Sequence, residues 1–72
     1  MAEDVPVTIY VQLADRLGEW RPVKAIRQRE DIYCVIGPMP TDEDWKFPPG
    51  SMVRRKLKIL PNGKQEMVAA PL

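Results

Sequence analysis

The chain predicts an all-β fold, a small barrel of five short strands. Three observations predict it. Val5, Val7, Ile9, Val11 and Leu13 alternate strictly with Pro6, Thr8, Tyr10 and Gln12, the period of a strand with one buried face. Eight prolines in 72 residues disfavour long helices and suit short strands joined by turns. Asn62-Gly63, between two strand-like runs, is the strongest short-range hairpin signal. No stretch has the period of an amphipathic helix.

The first strand covers residues 5 to 13 and places Tyr10 on the outward face. Residues 14 to 19, ADRLGE, form a polar turn in which Gly18 is expected at positive φ. The second strand runs from Trp20 to Arg29. Val23 and Ala25 share one face, and Trp20, Pro22, Lys24 and Ile26 the other. Pro22 removes a ladder donor and marks an edge or a bulge. Arg29-Glu30-Asp31 is a charged turn. Ile32 to Ile36 is a third strand of β-branched and aromatic character. Its register is open: either Tyr33 and Val35 face the core, or Ile32, Cys34 and Ile36 do.

The fourteen residues Gly37 to Gly50 read GPMPTDEDWKFPPG. Four prolines exclude a strand or a long helix. So long a connection in a small domain is functional or packed by its own side chains. Trp45 and Phe47 indicate packing. Thr41 with Asp44 three residues on suggests a capped helical turn over 41 to 45, with Asp42 and Glu43 favourable at its positive end. The fourth strand is Met52 to Leu60 and the fifth Lys64 to Ala70. A two-residue type I′ turn at Asn62-Gly63 sets Leu57 opposite Val68, both on the core face. Met1 to Asp4 and Pro71-Leu72 are expected to be loose.

Seventy-two residues make one domain that buries only roughly 60% of the surface its unfolded chain exposes. One cysteine, Cys34, and no histidine leave neither a disulfide framework nor a zinc site, which points to a reducing cytoplasm. The acidic start MAEDVPVT lacks the basic region of a signal peptide. No run approaches the roughly 20 apolar residues of a membrane span. Eleven basic and ten acidic residues give a net charge of +1, not the balance of a dedicated nucleic-acid binder.

Trp20-Arg21-Pro22-Val23-Lys24-Ala25, then Tyr33, Trp45 and Phe47 before Gly50, then Val53-Arg54 and Met67-Val68-Ala69 resemble a group of compact bacterial SH3-like barrel proteins of uncharacterised function. The Trp-x-Pro-Val-x-Ala strand followed by a Tyr-x-Val strand is also similar to Tudor and Agenet modules. The resemblance covers about residues 5 to 70 and implies an SH3-like barrel. Tudor-like modules bind peptides or methylated side chains in an aromatic cage, which here would be built from Trp20, Tyr33 and Trp45.

The expected function is a cytoplasmic, non-enzymatic protein- or peptide-interaction module with no cofactor. Catalysis lacks a histidine for acid–base work near neutral pH, and Cys34 sits among apolar neighbours. Asp42, Glu43 and Asp44 are too closely spaced for a calcium loop. Trp20, Tyr33 and Trp45 with Asp42 and Asp44 are the candidate ligand residues, offering π-faces and negative charge to a cationic or proline-rich partner. The bland alternative makes Trp20 and Trp45 lids over the barrel ends and Phe47 a core plug. A second reading is nucleic-acid binding: Arg54, Lys56 and Lys58 alternate, so a strand projects all three from one face toward phosphates. The same lysines also serve as guards against edge pairing. Self-association through strand pairing, or through an exposed tryptophan patch, would give a homodimer.

Overall fold

The computed structural model describes residues 5–16 and 18–72; the expected looseness of Met1 to Asp4 lies outside the described residues. Five strands follow one another: β1 Val7–Gln12, β2 Trp20–Arg29, β3 Ile32–Ile36, β4 Met52–Ile59 and β5 Gln65–Ala70. Each pairs antiparallel with the next, and β5 returns to β1 through a parallel bridge at Tyr10 and Val68, closing a barrel. A five-strand meander leaves β5 running in the direction of β1, so its closure has to be parallel. The result is an all-β, five-stranded closed barrel, consistent with an SH3-like barrel. No helix of the described residues is long and apolar enough to cross a membrane.

The registers keep one parity around the barrel. Ile9 pairs with Val23, Ala25 with Val35, Tyr33 with Val53, and Arg55 with Ala69. Paired residues share a face, so odd-numbered positions point inward along the regular ladders, up to the irregularity between Arg27 and Arg29 where β2 shifts register against β3; Val68, at an even position of β5, is buried as well. The interior is built from Ile9, Val11, Val23, Ala25, Tyr33, Val35, Val53 and Ala69, with Leu13 and Trp45 added from outside the strands. This decides β3: Tyr33 and Val35 are buried, while Ile32, Cys34 and Ile36 are half-buried on the outer face. Tyr10 is on the outer face, as the alternation of β1 implies.

Pro22 marks an edge. Leu13 N–H donates to the Glu19 carbonyl, so odd residues of β2 bond to β1 and even ones point the other way. Pairing with β3 begins only at Lys24. The donor that Pro22 lacks would face no partner strand, and the proline removes nothing from the ladder.

The β4–β5 hairpin departs from the expected turn. Leu60 N–H donates to the Lys64 carbonyl and Gly63 N–H to the Leu60 carbonyl, both at 2.8 Å. The loop is therefore three residues, Pro61-Asn62-Gly63, with only Gly63 at positive φ (85°). A type I′ turn needs positive φ at both central residues. Pro61 instead fixes the φ of the second position of a type I turn, and Gly63 takes the left-handed bulge position that follows. The pairing slips by one residue. Leu57 stands opposite Met67 rather than Val68, and Lys56 opposite Val68. Leu57 keeps its inward parity but is not buried.

The long loop is ordered by β-turns rather than a helix. Glu43 N–H donates to the Pro40 carbonyl at 3.2 Å, closing a turn over 40 to 43, and the chain beyond it is extended. The expected helical turn over 41 to 45 is absent because Trp45 forms a β-bridge with Leu13, which requires extended backbone. At the far end Ser51 N–H donates to the Pro48 carbonyl. Pro49 and Gly50, at φ 94°, fill the central positions of a type II turn that delivers the chain to β4.

Candidate functional site

Trp45 is fixed from three sides. Its bridge to Leu13 continues β1 beyond the barrel. Ala14 N–H donates to the Asp44 carbonyl at 2.6 Å, and Lys46 N–H to the Gln12 carbonyl at 2.9 Å. The ring is buried, with 6% of its surface exposed. Its indole N–H donates to Glu43 Oε1 at 2.9 Å. Arg21 Nε–H, from β2, donates to Glu43 Oε2 at 2.7 Å, and the Arg21 guanidinium also lies 3.5 Å from Glu19. The indole hydrogen bond, then the guanidinium hydrogen bond, holds the Glu43 carboxyl below the usual carboxylate range, against the opposing effect of burial. Arg21 is shifted up, mainly by its bond to Glu43. One carboxylate thus satisfies the polar edge of a buried indole and ties the loop to β2.

The acidic run therefore divides differently from the expectation. Asp42 and Asp44 are exposed, and Asp44 contributes its backbone carbonyl to the loop anchor. Glu43 is the residue that sequence reasoning did not select. The signal for it was the two-residue spacing to Trp45, which places a carboxylate within reach of the indole N–H.

The three rings of the expected cage are not presented together. Tyr33 occupies an inward position of β3 with 3% of its surface exposed, and the Arg55 guanidinium lies 4.9 Å from its ring centre. Trp45 is interior as well, drawn in by the bridge to Leu13. Only Trp20 keeps a share in solvent. It stands half-buried at the start of β2, opposite Gln12 and on the face away from the interior. Phe47 is half-buried against the core cluster, which fits its expected role as a plug.

Arg54, Lys56 and Lys58 are all exposed on the outer face of β4. Their charge is partly offset: Asp31 lies 3.5 Å from Arg54, and Glu66 is the cross-strand partner of Lys58.

The unexpected feature is apolar. Leu57 and Ile59, inward by parity, are 53% and 64% exposed. β4 pairs with β3 only over Met52 to Arg54, so the rest of β4 extends past the barrel wall with β5 as its only strand partner among the described residues. A cleft of about 720 Å³ is lined by Leu57, Ile59, Lys56 and Lys58 from β4, and by Trp20 and Phe47. Aliphatic surface, two aromatic rings and two ammonium groups meet there.

No protein-family model, curated protein or solved structure matches this chain.

Proposed function

We propose that the protein is a small interaction module on an SH3-like barrel, binding a protein or peptide through the cleft beside β4, without catalysis of its own. The observation that carries this reading is the exposure of Leu57 and Ile59, two large aliphatic side chains on one strand. Clustered apolar surface with polar groups at its rim suits recognition of a partner. Trp20 and Phe47 extend that surface, and partly exposed aromatic rings are efficient contact residues. The barrel supplies a rigid frame, because Trp45 and Tyr33 are committed to its interior. The reducing environment inferred from the lone cysteine makes the cytoplasm its proposed setting.

The test is selection from a displayed random-peptide library on the wild-type protein and on the double variant Leu57→Ser, Ile59→Ser. Enrichment of a shared motif by the wild type, lost on the variant, supports the reading. The same enrichment on both proteins removes the cleft as the binding surface.

A second reading has one specific observation behind it: Arg54, Lys56 and Lys58 project together from one strand face. If this row contacts phosphates, affinity for a single-stranded oligonucleotide falls steeply with salt, and Lys56→Glu abolishes it. No binding at low salt eliminates this reading.

A further inference from the structure

The cleft borders a strand edge whose backbone groups have no hydrogen-bond partner among the described residues. In an antiparallel ladder each residue directs both N–H and C=O to the same neighbour, and direction alternates along the strand. Two bonds fix that alternation for β4. Leu60 N–H donates to Lys64, so even positions bond to β5; Arg55 N–H donates to the Asp31 carbonyl at 3.0 Å, so odd positions face the β3 side. The β3 ladder ends at Arg54 with Ile32. Beyond Arg55, the backbone groups of Leu57 and Ile59 therefore point to the side where, among the described residues, no strand lies. The same two residues carry the exposed aliphatic side chains.

We propose that this edge accepts a further strand: an extended, acidic segment of another protein, with apolar residues at alternate positions. The inference rests on the interaction reading above and specifies its mode and ligand. Charge decides the occupant. A strand laid antiparallel on Leu57–Ile59 places alternate side chains against those two residues and the others beside Lys56 and Lys58. A second copy of β4 would bring its own lysines against these two, and like charges directly opposite are unfavourable. Edge lysines guard against self-pairing in this way. A strand with carboxylates at those positions meets complementary charge, while its apolar residues cover Leu57 and Ile59. The main-chain bonds supply affinity and the alternate side chains supply selectivity. The unpaired side at the start of β2 is blunted by Pro22; the β4 edge has no proline.

The probe is a capped, fluorescein-labelled octapeptide alternating valine and glutamate, titrated into the full chain and followed by anisotropy. A block peptide of the same composition is the control. In antiparallel addition the valines opposite Leu57 and Ile59 direct their N–H groups to β4. N-methylation of the valines then weakens binding by about tenfold or more, whereas N-methylation of the glutamates changes it little, since each lost bond is worth on the order of 1 kcal/mol. Binding also slows hydrogen exchange of the Leu57 and Ile59 amides. Ile59→Pro deletes an edge donor without touching the β5 ladder, so it retains the wild-type melt and loses affinity.

Equal binding of alternating and block peptides, with the Leu57 and Ile59 amides unprotected, overturns strand addition and leaves an interaction through the cleft standing. Failure of the alternating peptide to bind overturns the inference. Concentration-dependent dimerisation that protects those amides also overturns it, because the occupant is then a second copy. Failure of the interaction reading itself is seen separately, in peptide selection that ignores the Leu57→Ser, Ile59→Ser change.

Discussion

The indole N–H of Trp45 and the carboxylate of Glu43 are joined at 2.9 Å across two residues of the same loop. That bond lets a tryptophan enter the core from a segment otherwise made of prolines, acids and turns. Buried indoles need a partner for their N–H, and the half-buried Glu43 carboxylate is held by charge-assisted donors. Arg21 supplies the second donor at 2.7 Å and fastens the pair to β2. The loop is thereby part of the barrel.

Removing the ring has a large effect. Trp45→Ala is expected to cost about 3–5 kcal/mol, by analogy with other buried aromatic truncations. That is comparable to the whole stability of a small domain, so the variant is largely unfolded at room temperature by circular dichroism. Trp45→Phe keeps most of the apolar contact and loses the N–H donor. It folds with a lower melting temperature, and its remaining tryptophan fluorescence, from half-buried Trp20, is readily quenched by acrylamide.

The Glu43 carboxyl gives a defined pH dependence. Its folded pKa lies below the ordinary value of 4.5, so the unfolded chain takes up the proton first as pH falls. The stabilisation is fully present above the ordinary value and is lost as pH drops through the folded one. Melting temperatures from about pH 3 to 7 should fall more steeply for the wild type than for Glu43→Gln. The gap between the two should close at the acid end. A constant gap would show that Glu43 does not carry this linkage.

The three-residue hairpin loop makes an equally specific claim. Gly63 at φ 85° has open space where a Cβ would stand, so substitution there strains the backbone without a clash. Gly63→Ala is expected to destabilise by about 1 kcal/mol, read as a shifted urea midpoint with unchanged slope. Asn62→Ala is expected to cost less, because Asn62 is not at positive φ and its side chain accepts only a local bond from Lys64 N–H.

Leu57 and Ile59 test the division between core and contact surface. Single changes to serine should move stability by no more than about 0.5 kcal/mol, as for surface positions. Val35→Ala or Ile9→Ala, at fully buried sites, should cost about 1–4 kcal/mol. A Leu57→Ser variant that unfolds would mean the side chain is covered in the folded molecule.

Much of the fold is legible in the residues. The alternation over Val5 to Leu13 gives β1 and its buried face, because one face is wholly apolar, although the strand itself is Val7–Gln12 and Val5 ahead of it is exposed. β3 is apolar on both faces, so its register becomes readable only through its neighbours: Ala25 inward on β2 fixes Val35, and Val53 on β4 fixes Tyr33. The hairpin was misjudged through one residue. Asn-Gly signals a turn, but Pro61 decides which turn, and a one-residue slip changes every cross-strand partner. The site was less legible for a different reason. Exposure of Leu57 and Ile59 depends on where β3 stops, a property of another strand. The burial of Trp45 depends on a bridge to Leu13 that no local pattern announces.

The central claim is that β4 presents a free edge at Leu57 and Ile59, and amide hydrogen exchange in the isolated protein tests it most directly. A free edge gives alternation along the strand: slow exchange at Lys56 and Lys58, whose N–H groups bond to β5, and fast exchange at Leu57 and Ile59. Protection of all four amides at low protein concentration would mean that the edge is already occupied, and would contradict it.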